Sequence, residues 1–173
     1  ENMGTLDYQL LISSNMPKEL QLWCFLGFFL SLAVKVPKIP FHIWLPQAHV
    51  EAPVAGSVIL AGILLKLGGY GFIRFSWNIF PEASEYLSPF VILLSTVAII
   101  YASLSTCRQT DAKRLVAYSS VAHMGIVTIG IFSKTLEGII AAVLLMVAHG
   151  LVSSGLFIMV TNLYDRFHTK LIR

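Results

Sequence analysis

The residue most out of place in this sequence is Lys66, which lies near the middle of a long apolar stretch over residues 53–77. A charged side chain at the centre of a membrane span costs at least about 2.5 kcal/mol unless it faces water or a polar partner. Helical spacing puts two glycines and Tyr70 beside it, which leaves space for water. A lysine that snorkels or forms a structural pair is the alternative. We predict that Lys66 gains and loses a proton during function.

A second lysine, Lys35, ends the apolar run WCFLGFFLSLAV and is followed by Pro37 and Pro40. Because proline cannot continue a helix, we predict a helix that is broken between Val36 and Phe41. The free carbonyls at such a helix end attract a cation. Inside a membrane, a break is tolerated only where it is buried in protein or lines water, and in transporters it marks an ion site. The alternative, that Lys35 simply ends a span at the interface, stays open.

Two histidines lie near the middle of later apolar stretches. His123 follows Ser119 and Ser120 by about one helical turn, and Ser153 follows His149 at i+4. Histidine can pass protons with the help of hydroxyls and bound water. Each histidine alone could be a core residue that bonds to a neighbouring helix. Two at similar depth in successive spans favour a proton relay.

The predicted relay therefore has four members and five accessory groups. The relay residues are Lys35, Lys66, His123 and His149, and the accessory residues are His42, Ser119, Ser120, Ser153 and Tyr70. The sequence lacks His-x-x-x-His, Cys-x-x-Cys, Gly-x-Ser-x-Gly and a glycine-rich phosphate loop. We therefore expect no catalytic, cofactor-binding or metal-binding residue in this chain.

The elements that must position these residues are membrane helices. The 173 residues are 56% hydrophobic and only 12% charged, with a mean hydropathy of +0.76, unlike a soluble domain. About 20 apolar residues are needed to cross ~30 Å of hydrocarbon. We predict an all-α, polytopic transmembrane bundle with one discontinuous helix over residues 19–173, after an inter-helix loop over 1–18. The five predicted spans cover residues 19–36, 53–77, 87–106, 115–132 and 139–163.

The positive residues predict an orientation and exclude nucleic acid as a partner. The chain has 12 Lys and Arg against 9 Asp and Glu, and no basic patch interleaves with aromatics. With five crossings, Lys18, Arg74 and Lys134 fall on one side, and the basic loop 107–114 and the C-terminal tail fall on the other. The loop and the tail carry six cations, so we predict that they face the matrix or cytoplasm. The start does not resemble a signal peptide, so targeting is expected to come from elsewhere.

Three stretches of the sequence resemble one known family. They are KVPKIPFHIWLPQAHVEAPVAGSVILAGILLKLGGYGFIRF, DAKRLVAYSSVAHMGIVTIGIF and AHGLVSSGLFIMVTNLYDRFHT. They look like the antiporter-like membrane subunits of proton-pumping NADH:ubiquinone oxidoreductase, respiratory complex I, and also like subunits of multisubunit cation/proton antiporters. The chain 4 type fits best, because the subunit 5 type typically carries histidine where Lys66 stands. The resemblance runs from about residue 22 to residue 173.

The resemblance implies an antiporter-like subunit fold and a role for each relay residue. Lys35 is implied to lie at the break of the discontinuous helix, and Lys66 to be the connecting lysine of the next helix. His123 and His149 are implied to lie on the hydrophilic axis that carries protons. In that family a glutamate on an earlier helix pairs with the first lysine, and an ionisable residue on a later broken helix forms the exit. The sequence covers only the central portion of the family and contains neither.

The function implied by the resemblance is proton translocation in the membrane arm of complex I, as a subunit of an NADH:ubiquinone reductase with no redox centre of its own. FMN, iron–sulfur clusters and ubiquinone are implied for the parent complex. Expected partners are lipids and other membrane-arm subunits, especially neighbouring antiporter-like subunits and a chain that supplies the missing helices. The alternatives are a cation/proton antiporter subunit and a structural remnant that braces the arm without conducting. The stretch HVEAPVAGSVILAGILLKLGGYGFIRFS looks organellar, which favours the mitochondrial inner membrane over a bacterial plasma membrane.

Overall fold

A computed structural model describes residues 7–14 and 16–169 of the chain. The described residues form helices joined by short turns, with no β-strand among them. The helices are α1 (Tyr8–Ser13), α2 (Lys18–Lys35), α3 (Trp44–Glu51), α4 (Val54–Ile79), α5 (Pro81–Cys107), α6 (Ala112–Phe132) and α7 (Leu136–Phe167). The predicted all-α bundle is confirmed.

Four of these helices, α4 to α7, are long and apolar enough to cross a membrane within the part of the chain that the structure describes. They coincide with four of the five predicted spans. The remaining predicted span coincides with α2, which has 18 residues and includes Lys18, Glu19 and Lys35. Because these three charges fall within only 18 residues, α2 is not among the four helices counted above, and its crossing stays a prediction.

The segment predicted as an inter-helix loop contains the short helix α1. The Tyr8 ring lies 4.5 Å from the guanidinium carbon of Arg74, and its hydroxyl donates to the Arg74 carbonyl at 2.8 Å. This fixes α1 against the end of α4. Residues 1–6 of the predicted loop and residues 170–173 of the predicted basic tail lie outside the described residues.

The chain between Lys35 and Trp44 forms turns rather than helix, so the predicted break between Val36 and Phe41 is confirmed. The cause is the pair of prolines in this segment, which lack an N–H and restrict the residues before them. Helix α3 then begins at Trp44. The discontinuous helix is therefore α2 followed by α3.

Two hydrogen bonds tie the break to the last turn of α2. The backbone N–H of Lys38 donates to the Ala33 carbonyl at 3.0 Å. The Trp44 indole N–H donates to the Val34 carbonyl at 3.1 Å. Helix ends leave carbonyls without an intrahelical partner, and these two bonds satisfy some of them. The Trp44 bond also ties the first residue of α3 to the last turn of α2.

Helix α4 is continuous but contains two π-helical turns, at Leu60–Leu64 and Phe72–Ser76. Its glycines admit close neighbours. A methyl group added at Gly68 would overlap the Val36 side chain and lie 3.3 Å from the Lys35 Cβ atom. The helix break therefore packs directly against the backbone of α4.

Aromatic rings form the core between α2, α4 and α6. The ring centroids of Phe29 and Phe72 are 6.0 Å apart, those of Phe72 and Phe132 are 5.5 Å apart, and those of Phe25 and Phe132 are 6.5 Å apart. Such pairs add to the free energy gained by burying the rings. This cluster holds the three helices together.

Small residues line the contact between α5 and α6. The Ser88 hydroxyl donates to the Phe132 carbonyl at 3.0 Å, across the two helices. Small side chains let membrane helices approach closely. By contrast, α7 turns large apolar side chains such as Leu151 and Met159 outward, with 75% and 67% exposure. That outer face suits lipid or another apolar surface.

Ion pairs identify one end of the bundle. Lys18 lies 3.5 Å from Glu82, and Lys134 lies 2.9 Å from Glu85, both in the first two turns of α5. Lys18 and Lys134 therefore share one end of the bundle, in agreement with their predicted grouping. Which membrane face that end meets stays a prediction.

We predict that Gly68→Ala destabilises the protein by about 1–3 kcal/mol, because the new methyl group must displace Val36 and the end of α2. Gly155→Ala is the matched control, since nothing lies within 4 Å of a methyl group at that position on α7. The measurement is the midpoint temperature for heat-induced loss of the folded membrane protein. Equal midpoints for the two variants would contradict the close packing of the break on α4.

Candidate functional site

Lys66 lies on α4, directly after the π-helical turn Leu60–Leu64, and is half-buried. Its amine donates to the Ala61 carbonyl and lies 2.9 Å from Nδ1 of His149 on α7. Side chains on a helix lean toward its N-terminus, which directs the lysine back to the π-helical turn. π-helical turns are frequent at functional sites. The structure therefore brings together two of the four predicted relay residues, Lys66 and His149.

Two glycines permit the contact between Lys66 and His149. A methyl group added at Gly150 would lie 3.1 Å from the Gly62 carbonyl oxygen and 3.5 Å from the Lys66 Cε atom. The backbones of α4 and α7 therefore meet with no side chain between them. This close approach sets the distance from the lysine to the imidazole.

His123 stands next to His149, with the two ring centroids 5.8 Å apart. His149 is buried, whereas His123 is exposed on the surface of this chain. Both line a groove of about 170 Å³, which is large enough for several waters. The hydroxyl-bearing residues of this groove are Ser119, Ser120 and Ser153.

The three serines present oxygen lone pairs to the groove. Ser119 and Ser120 donate to the Val116 carbonyl at 2.7 Å and 3.1 Å, and Ser153 donates to the His149 carbonyl at 2.6 Å. Their hydrogens are therefore used within their own helices. Their oxygens remain able to accept hydrogen bonds from water or from an imidazole N–H.

Lys35 occupies a different position from the other relay residues. Its side chain is exposed and lines a groove of about 350 Å³ with Trp44 and leucines of α4. Lys66 lines a separate groove of about 560 Å³ with the exposed Tyr70. The structure thus places Lys35 against α4, the helix that carries Lys66, but the two lysines line different grooves. The role of each stays a prediction.

The two histidines around α3 are both buried, but in different settings. Helix α3 begins at Trp44, so only His49 lies on it and His42 belongs to the turns before it. The His42 ring meets Tyr101 edge-on, with centroids 5.0 Å apart. The His49 ring stacks on Phe157 at 4.3 Å, and neither of its nitrogens has a hydrogen-bond partner among the described residues.

The structure also buries a lysine that the sequence analysis did not single out. Lys38 is 1% exposed, and its amine donates to the Ser95 hydroxyl at 2.5 Å and to the Thr128 hydroxyl. The signal in the sequence was its position between two prolines, three residues after Lys35. A non-helical turn of that length sends the two side chains to different sides of the chain.

Among the residues that the structure describes, the interior of the site contains lysine and histidine side chains but no acidic one. The salt bridges formed by described residues involve Lys18, Arg114 and Lys134, all near the ends of the bundle, and not Lys66. The described residues contain no group of three or more His, Cys, Asp or Glu that could hold a metal ion. The chemistry that this arrangement supports is the transfer of protons between nitrogen, hydroxyl and water.

Comparison with known proteins shows the family to which the chain belongs. The profile of a family described as "NADH:quinone oxidoreductase/Mrp antiporter, TM" matches residues 1–173. The chain belongs to this family. The resemblance inferred from the three motif stretches is thereby confirmed.

Individual relatives share both sequence and fold with the chain. NADH-ubiquinone oxidoreductase chain 4 of Metridium senile is 69% identical over 172 residues, which are 99% of this chain and 35% of that protein. The protein of the same name from Chondrus crispus is 60% identical over 98% of this chain and 35% of its own length. A chain in the respiratory complex I from Thermus thermophilus with bound NADH has a TM-score of 0.87 and 33% identity, over 97% of this chain and 36% of that one. The chain thus spans about a third of the length of the relatives it matches.

We predict that Lys66 and His149 are energetically coupled. Lys66→Met or His149→Leu alone leaves the other side chain short of a partner, whereas the double substitution removes both. The double substitution should therefore cost less stability than the sum of the two single ones, with a coupling of about 0.5–3 kcal/mol. The measurement is a double-mutant cycle on the midpoint of heat-induced unfolding.

The control cycle pairs His149→Leu with Lys134→Met, because Lys134 bonds to Glu85 at the end of the bundle instead. Those two effects should add. Additive effects for Lys66 and His149 as well would show that their contact contributes nothing.

Proposed function

We propose that the chain is the central part of a proton-translocating, antiporter-like membrane subunit of complex I, in which Lys66, His149 and His123 pass protons with the help of water. The observation that carries the proposal is the 2.9 Å contact between Lys66 Nζ and His149 Nδ1. It lies inside a bundle of membrane helices and no described carboxylate pairs with the lysine. Because no acid stabilises the charge of the ammonium, it can transfer its proton to an acceptor that is in contact.

The proposed transfer moves one proton in two steps. The Lys66 ammonium donates to His149 Nδ1, which breaks an N–H bond on the lysine and forms one on the imidazole. The imidazolium then releases the proton on its Nε2 to water in the groove shared with His123. His149 must first carry its proton on Nε2, because Nδ1 has to accept. The starting state returns when Lys66 takes up a proton from its own groove and His149 exchanges its Nδ1 proton, through water, for one on Nε2.

In this proposal Lys35 acts on Lys66 from the neighbouring groove. Its exposed side chain lies at the carbonyl end of α2, where a positive charge is favourable. An acid from a helix of the longer protein would cover it, as the glutamate does in the family that the sequence resembles. The charge on Lys35 would then rise or fall with that partner and change how readily Lys66 releases its proton.

The remaining assignments follow from the relatives. Relatives at 52–69% identity are named NADH-ubiquinone oxidoreductase chain 4, which favours an oxidoreductase subunit over a cation/proton antiporter. Their eukaryotic sources favour the mitochondrial inner membrane, with the basic loop 107–114 and the C-terminal tail toward the matrix. FMN, iron–sulfur clusters and quinone chemistry would belong to other subunits. The expected neighbours are further membrane-arm subunits and lipids.

We predict that Lys66→Met lowers the rate of NADH-driven proton pumping on the order of tenfold or more, because a group that transfers protons is lost. The measurement is acidification of sealed membrane vesicles that contain the parent complex, normalised to the amount assembled. Lys134→Met is the matched control, since it also removes one lysine but from an exposed ion pair. Pumping by Lys66→Met at the rate of this control would instead favour the structural brace.

A further inference from the structure

We propose that Lys38 is an additional proton-binding residue, held in a pocket of its own at the helix break. This inference rests on the proposed function, since a proton-binding lysine has a use only in a proton-moving subunit. It concerns a residue outside the Lys66–His149–His123 relay. Three observations support it: the burial of the amine, the number of hydrogen-bond acceptors around it, and the two opposing influences on its charge.

The amine of Lys38 is enclosed between α5 and α6. The side chain is 1% exposed, although a lysine is almost never fully buried unless it is paired. Its partners are Ser95 of α5 and Thr128 of α6, whose hydroxyl oxygens lie 3.0 Å from each other. The backbone N–H of Lys38 is fixed as well, by its bond to the Ala33 carbonyl. Lys38 is therefore fixed at its backbone and at the end of its side chain.

The two hydroxyls accept from the lysine because their own hydrogens have other partners. Ser95 lies 2.6 Å from the Val91 carbonyl, and Thr128 lies 2.8 Å from the Gly125 carbonyl, one turn back on their helices. Donation to those carbonyls leaves lone pairs on both oxygens for Lys38. A neutral amine has two N–H donors, and two acceptors satisfy it; an ammonium has three donors, so one stays without a described partner.

Two influences on the charge of Lys38 oppose each other. Burial without an acid penalises the ammonium, and no salt bridge among the described residues includes this lysine. The hydroxyl oxygens of Ser95 and Thr128, which accept from the amine, stabilise the ammonium, because hydrogen bonds from a charged donor are stronger than those from a neutral one. A group held between such influences can exist in both states. It takes up one proton from water to form the ammonium and returns the same proton to water.

The position of Lys38 gives this proton a consequence for the relay. Lys38 and Lys35 are separated by only two residues of turn; the side chain of Lys35 is exposed and that of Lys38 is buried. Two positive charges on so short a segment repel each other. Proton uptake by Lys38 would therefore make a charge on Lys35 less favourable, and the reverse. The break would carry two coupled lysines rather than one.

The competing explanation is that Lys38 only tethers the break to α5 and α6 by hydrogen bonds. Lys38→Gln separates the two explanations. Its amide keeps two N–H donors for Ser95 and Thr128 but cannot take up a proton near neutral pH. Lys38→Met removes both the donors and the proton-binding group while keeping an unbranched side chain that fits a buried site. Lys66→Met in the same assay reports on the proposed function itself.

The measurement is proton pumping by the assembled parent complex in sealed vesicles, normalised to assembled complex. If Lys38 binds a proton during function, Lys38→Gln and Lys38→Met both lower the pumping rate, on the order of tenfold. Wild-type pumping by Lys38→Gln with loss in Lys38→Met would show a tether and overturn the proposal. Wild-type pumping by both variants, or failure of both to assemble, would overturn it as well. Wild-type pumping by Lys66→Met would instead contradict the proposed function. This variant is measured separately, so its result does not depend on the Lys38 variants.

Discussion

A lysine amine inside a membrane bundle has to find polar partners without water around the helices, and the structure of this chain depends on how it does so. Lys66 meets this requirement with one carbonyl of its own helix and one imidazole nitrogen of α7. Both partners depend on the backbone. The π-helical turn precedes the lysine directly, and the contact of Gly62 with Gly150 brings α7 close enough for His149 to reach it. A polar contact thus determines where two membrane helices touch.

The helix break is the second consequence of placing cations in an apolar chain. Prolines end α2, and the freed carbonyls are then partly satisfied by Trp44 and by the backbone of Lys38. Because Gly68 of α4 has no side chain, the break packs directly on that helix. The short turn places Lys35 on the surface of this chain and Lys38 in the interior between α5 and α6. The segment from Lys35 to Lys38 therefore places one lysine on the surface and one in the interior of the bundle.

The sequence predicted the features that depend on local chemistry. Prolines at positions 37 and 40 were sufficient to place the break, and apolar length was sufficient to place α4 to α7. It could not predict which lysine of the break is buried, because a non-helical turn has no periodicity from which to read a face. The Lys66–His149 contact depends on residues 83 positions apart and on a glycine contact between helices, which a single sequence does not reveal. The same lack of periodicity applies to His42, which lies in the turns before α3.

The most direct test of the central claim, that Lys66 and the two histidines form a wet polar connection, is a density map of the assembled parent complex at a resolution that shows water. The result we expect is ordered water in the groove of Ser119, Ser120 and Ser153, joining His149 to His123, with the Lys66 amine still at His149. A groove filled by apolar side chains or acyl chains, with His123 in contact with lipid and Lys66 turned away from His149, would contradict it.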